Sequence, residues 1–467
     1  MRNASTKNPI AARPWTWPLT LAGITLLALA LRWYYVTITI VPQPLSGDAG
    51  QYYVYAWNLL HHGIFSSSKP GSASVLPDNY RDPAYPLFLA LWIKTLGPGR
   101  IAYGATLLCQ ALLGAMTVGI SMQICRQWLS VRWAAAAGLL MAVWPHSIAT
   151  NGFLLTETLS GFLCALGLLL WVKACKCKSS GKALASGLTL GAAGLTNAVL
   201  QPFGILLAVL IGWRAPALRK TCLVLALASA ALPLAWAVRN VYLPNTDIHT
   251  SSKGRALQNL IQGSWPTYHS AWRASKLGSD AAKIEATANL NAMNAEYEQL
   301  LSSPLKGTKV VIQRMQQHPV TYLTWYLFKK PYQLWGWGIE IGQGDIYPYA
   351  VINSPFQTQV AWIALAAICH TLNPWLLGLS LACLLITWWE QCARADISPP
   401  SLSIISTIAL LGFVTLVYCI LQAEPRYATP FRNLEIALAF TTLAHLSARW
   451  NAYQETLHRR KALRESH

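Results

Sequence analysis

Six ionisable residues stand each at the edge of an apolar run: Asp48 in "SGDAGQYY", Arg81 and Asp82 in "NYRDPAYPLF", Glu157 in "LLTETLSGF", Arg239 in "LAWAVRN" and Arg426 in "LQAEPRYATPF". Tyr52, Tyr53, Glu424 and Tyr427 lie beside them in the same short stretches. A carboxylate can accept a proton from a hydroxyl, and a guanidinium grips phosphate bidentately while staying charged. Together they suit a reaction on a phosphorylated lipid. Each also has a plainer explanation taken alone. Asp48 opens a stretch in which Tyr52, Tyr55, Ala56, Leu59 and Leu60 recur at helical spacing up to Gly63, and an Asp there is a good helix N-cap. Arg81 and Asp82 could form an interfacial ion pair. Glu157 could be an acid stabilised by the dipole of the helix that it begins.

The elements that must position these residues are membrane helices. Of the 467 residues 54% are hydrophobic and only 11% charged, well below the ~25% of a soluble domain. The net charge of +19 suits anionic headgroups or phosphorylated substrates, and with no soluble basic domain a nucleic-acid partner is excluded. Apolar runs long enough for ~30 Å of hydrocarbon occur near 17–41, 101–124, 133–150, 153–173, 184–213, 221–238, 374–390, 402–421 and 428–446. The 184–213 run is too long for one crossing and contains Gly194, Asn197 and Pro202, which predicts two helices or one sharply broken pair. With the shorter segments 84–97, 321–338 and 357–372, each interfacial, re-entrant or a short span, the expectation is an all-α integral membrane protein of about ten to twelve spans, its extracytoplasmic loops bearing amphipathic helices. Ala28-Leu29-Ala30 has the spacing of a signal-cleavage site, but the apolar stretch runs on to Val41 and is read as a retained span.

Lys and Arg in short loops set the orientation. The N-terminus (1–16), "CRQWLSVRW" at 125–133, "KACKCKSSGK" at 173–182, "WRAPALRK" at 213–220 and the basic tail (447–467) fall on the cytoplasmic face. The first polar loop, 42–100 within the region 17–238, and the larger one, 239–356, then share the other face, with a C-terminal membrane region at 357–446. That places all six ionisable residues on the extracytoplasmic side of an inner, cell membrane. Neither long loop contains a cysteine, so a disulfide framework is not expected there. Residues 279–304 read as a soluble helix capping the site, and "KKPYQLWGWG" at 329–338 as an interfacial aromatic belt.

The ordered set "GDAGQYYVYAWNLLHHG", "YRDPAYPLFLA", "LLTETLSGFL", "GLTLGAAGLTN", "LAWAVRN" and "EPRYATPF" resembles the bacterial dolichyl-phosphate-mannose-protein-mannosyltransferase-like family, membrane glycosyltransferases of the C superfamily related to the aminoarabinose transferase of lipid A. The likeness runs from residue 17 to about 445. It implies a polyprenyl-phosphate sugar donor, an extracytoplasmic site and inversion at the sugar carbon. By position, Asp48 matches the first-loop catalytic acid and Glu157 the second acid. Arg239 and Arg426 match basic positions suited to the donor phosphate, and Arg81, Asp82, Tyr52, Tyr53 and Tyr427 are candidate substrate contacts. The sequence departs where many members have Asp-Glu and this chain has Asp48-Ala49, and where a basic residue is common and Asn197 stands.

One essential carboxylate is compatible with this chemistry. A polyprenyl phosphate leaves as a stable anion, so cationic stabilisation matters more than protonation. Asp48 would take the acceptor's proton while Arg81, Arg239 or Arg426 held the departing phosphate. The acceptor is a lipid, a glycan or a protein. No cofactor is required; a divalent metal is left open, and the adjacent His61-His62 pair points apart on a helix. The competing class, a lipid-linked-saccharide flippase or transporter without chemistry, would favour charges inside the spans and broken helices in paired halves.

Overall fold

The computed structural model describes residues 16–243, 247–338, 349–392 and 399–465. Its first half runs α1 (Thr16–Ile38), α2 (Asp48–His62), α3 (Ala84–Leu96), α4 (Arg100–Cys125), α5 (Val131–Val143), α6 (Pro145–Ala149), α7 (Glu157–Cys177), α8 (Ser180–Thr196), α9 (Phe203–Arg214) and α10 (Arg219–Val241). The second polar segment carries α11 (Ser252–Ser264), α12 (Tyr268–Leu277), α13 (Asp280–Ser302), α14 (Pro304–Gln317), α15 (Pro319–Thr324), α16 (Lys330–Trp335) and α17 (Pro355–Thr358). The chain closes with α18 (Val360–Cys392), α19 (Pro399–Ile420), α20 (Pro425–Ala428) and α21 (Arg432–Glu465). Among the described residues no strand forms beyond one antiparallel bridge, Ile40 to Ile352.

This is a membrane protein. Six described helices are long and apolar enough to cross a bilayer: α1, α4, α7, the helix spanning Pro216–Val241, α18 and α19. Shorter apolar helices at Ala84–Leu96, Val131–Val143 and Ala198–Arg214 accompany them. The most enclosed are α4 and α7, whose apolar windows are 61% and 67% buried, whereas that of α18 is 17% buried and faces outward.

Three segments differ from expectation, and a proline stands at two of them. The 133–150 run is not one helix: α5 stops at Val143 because Pro145 pushes Trp144 into an extended conformation (φ −66°, ψ 118°), and a short helix and turn follow. Segments 357–372 and 374–390 are not separate; they form the single helix α18, which carries Pro374 in its interior. A membrane helix tolerates such a proline where neighbours re-satisfy the freed backbone. Segment 321–338, one of the shorter or interrupted stretches, forms α15, a π-helical turn at Trp325–Lys329, and α16. The last run and the basic tail are continuous, as α21. The 184–213 break falls where Asn197, Gly194 and Pro202 predict it: Asn197 leaves the helix (φ −148°, ψ 112°), and its Oδ1 accepts from Val199 N at 3.2 Å. α2 ends at Gly63 in the left-handed region, and the soluble helix predicted at 279–304 is α13.

The second polar segment is fastened to the membrane helices by Lys330. Its buried ammonium donates to the carbonyls of Gly263 (2.9 Å) and Leu421 (2.5 Å), so α16, the end of α11 and the turn after α19 meet at one point.

Candidate active site

α2, the 78–83 turn, the start of α7, the α8–α9 break, α11, α12 and α20 enclose a cavity of about 1140 Å³. Its lining includes Asp48, Tyr52, Arg81, Asp82, Glu157, Arg426 and Tyr427.

Asp48 is the first residue of α2, and Gly47 occupies the N-cap position. Gly47 adopts φ 56°, ψ −129°, a conformation that only glycine holds without strain. The carboxylate is thus not spent as a cap. Its Oδ1 accepts from Arg81 Nη2 at 2.6 Å and its Oδ2 from Arg426 Nη2 at 2.8 Å. Burial alone would raise its pKa, but the Arg81 and Arg426 charges outweigh burial and hold the carboxyl well below the usual carboxylate range. A quarter of the side chain (25%) still faces the cavity, so a substrate can reach it.

Arg81 is held on three sides. Besides Asp48, its Nε donates to Gln51 Oε1 at 2.6 Å and its Nη1 to Tyr52 OH at 3.4 Å, and the guanidinium lies 5.0 Å from the Tyr52 ring centre. Pro83 and Pro86 stiffen the entry to α3 and keep the preceding Arg-Asp pair in place. Arg426, on the four-residue helix α20, is a hub for three carboxylates. In addition to Asp48, its Nε lies 3.3 Å from Glu157 Oε1 and 3.9 Å from Glu424 Oε2, as ion pairs without hydrogen-bond alignment. Glu157 is buried at the first position of α7, where the helix dipole favours an anion.

Three further findings depart from the sequence expectations. Arg81 and Asp82 do not pair with one another: Asp82 Oδ2 accepts instead from Arg255 Nη2 (2.9 Å) on α11 and from the Ala198 amide (3.2 Å) at the α8–α9 break. Arg239 does not line the cavity. Its Nη1 donates to Asp78 O (2.6 Å) and Asn240 Oδ1 (3.0 Å), and its guanidinium stacks 4.8 Å from Trp236, which pins the first polar segment to α10. Tyr53 is also outside the lining and stacks on Trp57, one turn along α2. The turn before Arg81 is held by Asp78, which accepts from Ser67 N (2.7 Å) and Oγ (2.6 Å) and from the Tyr55 hydroxyl.

Sequence reasoning missed Arg255, Tyr268, Trp272 and Tyr349, all of which line the cavity. Arg255 and Trp272 lie on amphipathic helices with no apolar run beside them, so nothing in the linear pattern separates them from surface residues. Tyr427 stacks on Tyr418 at 4.8 Å and 13°, and the Tyr418 hydroxyl accepts from Asn197 Nδ2 at 2.7 Å. Asn197 therefore holds the aromatic wall.

The donor set does not suit a divalent cation. Both oxygens of Asp48 and one of Asp82 are taken by guanidinium groups, and Glu157 and Glu424 face Arg426. Among the described residues no group of three or more His, Cys, Asp or Glu is placed to hold a metal.

No protein-family profile and no curated protein sequence matches the chain. Its fold is shared with an archaeal oligosaccharyltransferase. It aligns with the apo oligosaccharyltransferase of Archaeoglobus fulgidus at a TM-score of 0.51 and 12% identity, over 95% of this chain and 52% of that one. The same enzyme tethered to an acceptor peptide aligns at 0.50 and 14% identity, over 94% and 51%. ArnT from Cupriavidus metallidurans bound to undecaprenyl phosphate aligns at 0.37 and 15% identity, over 93% and 79%. The chain thus spans about half the length of the oligosaccharyltransferase.

Proposed function

We propose that this chain is an inverting membrane glycosyltransferase that moves a sugar from a polyprenyl-phosphate donor to an acceptor hydroxyl. The observation that carries the reading is a carboxylate gripped by two arginines, open to a large cavity beside apolar helices, with a third arginine, Arg255, in the same wall. The fold shared with membrane glycosyltransferases supports it. We read α1, α4, α5, α7, α8, α9, α10, α18, α19 and α21 as crossing alternately, a reading under which 42–100 and 239–356 share the extracytoplasmic face with the basic loops opposite.

In the transfer, the acceptor oxygen attacks the anomeric carbon and the bond from that carbon to the phosphate oxygen breaks. The electron pair leaves with the polyprenyl phosphate, and the acceptor's proton passes to Asp48. The phosphate gains a negative charge as it departs, and preformed cations around it stabilise that charge most at the transition state. Arg81, Arg255 and Arg426 are the groups for this role; Arg239, turned onto backbone carbonyls, is not. Two guanidiniums on Asp48 make it a weak base at rest. A phosphate that draws Arg81 or Arg426 toward itself strengthens Asp48 as a proton acceptor, so donor binding prepares the base. The tail would remain in lipid between helices. The acceptor is a lipid, glycan or protein hydroxyl.

Proteoliposomes loaded with a labelled polyprenyl-phosphate sugar and a membrane extract test this. Release of free polyprenyl phosphate with label in a new product supports transfer. Intact donor appearing in the opposite leaflet without product would make the chain a flippase.

A further inference from the structure

Behind Glu157, on the side away from the main cavity, α1, α4, α6, the first turn of α7 and the 429–433 turn enclose a second chamber. It offers about 30 Å³ that water can occupy, enough for one or two molecules. Glu157 and Pro430 line both spaces, so the carboxylate stands in the partition between them.

The chamber wall is polar and unsatisfied. Arg32 Nε, Ser147 Oγ, Thr150 Oγ1, Asn151 Oδ1, Thr158 Oγ1 and Asn433 Oδ1 are all buried without a protein hydrogen-bond partner. Arg32 is only 1% exposed; its Nη1 donates to the carbonyls of Ala28 (3.1 Å) and Ala142 (3.0 Å), and among the described residues no carboxylate lies within ion-pair reach. An unsatisfied buried polar atom costs about 1–3 kcal/mol, and an unpaired buried charge more. Six such atoms around one water-sized space are the signature of a built water site. The space is also guarded: a Cβ on Gly114 would collide with Asn151 Oδ1 and stand 3.0 Å from Arg32 Nε.

We infer that this chamber is a structural water site that links Arg32 to Glu157. Water accepts from Arg32 Nε and donates to Asn151 Oδ1 and to the back of the Glu157 carboxylate. Arg32 thereby becomes a positioning residue: it fixes the carboxylate that in turn holds Arg426 over Asp48. A cation is the wrong occupant, since the Arg32 guanidinium forms one wall. The positioning role rests on the glycosyl-transfer reading; the water site does not.

Two measurements decide it. Water-edited solid-state NMR of the wild-type chain in lipid should show rapid magnetisation transfer from water to Arg32 Nε, and a dry Arg32 overturns the site whatever the protein catalyses. A double-mutant cycle on sugar transfer then tests the linkage. Arg32→Met should lower kcat about tenfold in the wild-type background but less than twofold beside Glu157→Gln, because linked residues are non-additive. Equal losses in both backgrounds would reduce Arg32 to a packing residue. Gly114→Ala, which removes no polar group, should lower kcat in the same non-additive way and covers the case of a misfolded Arg32 variant. If the wild-type chain transfers no sugar, the functional proposal falls and the NMR result alone judges the water site.

Discussion

Replacing Asp48 with Asn should tighten the binding of polyprenyl phosphate while it removes turnover. Asp48 accepts one hydrogen bond from Arg81 at 2.6 Å and one from Arg426 at 2.8 Å, both charge-assisted. In the wild-type chain a phosphate must displace at least one of them, and a hydrogen bond to a charged group is worth about 1.5–3 kcal/mol. Asn retains one acceptor oxygen and presents an amide in place of the other, so one guanidinium edge is left without its partner. A phosphate then takes that edge with no ion pair to break. Recovering the lower bound, about 1.5 kcal/mol, corresponds to about tenfold tighter binding. Arg81 retains Gln51 and Tyr52, and Arg426 retains Glu157 and Glu424, so neither guanidinium should collapse elsewhere. Equilibrium binding of tritiated polyprenyl phosphate to purified wild-type and Asp48→Asn protein measures the difference. Unchanged or weaker binding by a folded variant would show that these arginines are not shared between the acid and the phosphate.

Arg255→Ala should raise the donor KM at least tenfold with expression intact, whereas Arg239→Ala should lower thermal stability and leave the donor KM of the surviving protein unchanged; the opposite pattern would restore Arg239 to the site. With Cys at exposed Ser74 or Thr287, a membrane-impermeant maleimide should label the introduced thiol from outside intact cells, and exposed native Cys177 should stay unlabelled until lysis; labelling of Cys177 first would invert the topology. His269 is buried on α12, with its Nε2 3.2 Å from Ala423 O, and burial lowers its pKa from 6.5 to about 4. Folding therefore keeps it neutral, so its stabilising contribution is complete above pH 6.5 and is lost as pH falls toward 4. On the order of 3 kcal/mol is at stake, and limited proteolysis of the 247–338 segment should accelerate over that range in the wild type but not in His269→Gln.

The parts of the site that were legible in the sequence share one physical feature: an ionisable residue beside an apolar run is costly and stands out. Asp48, Arg81, Asp82, Glu157 and Arg426 all meet that condition, and the structure gathers them around one cavity. Arg239 meets it too, yet packs against the carbonyl of Asp78, because a run's edge fixes depth in the membrane and not the direction of a side chain. Arg255 was invisible for the converse reason. α11 carries no apolar run beside it, and only the tertiary contact with Asp82, 173 positions away, marks it. Among the helices, the Asn197 break was readable from helix-disfavouring residues crowded into one run. The fusion of 357–372 with 374–390 was not, since Pro374 ends a soluble helix and merely interrupts a membrane one.

The central claim is that Asp48 accepts the acceptor's proton during sugar transfer, and an isosteric exchange tests it most directly. Transfer from a radiolabelled polyprenyl-phosphate sugar should be measured in proteoliposomes that carry equal amounts of wild-type and Asp48→Asn protein. Asn at the first turn of α2 preserves shape but cannot take the proton, so turnover should fall by about 10²–10⁴. Transfer by Asp48→Asn near the wild-type rate would contradict the account.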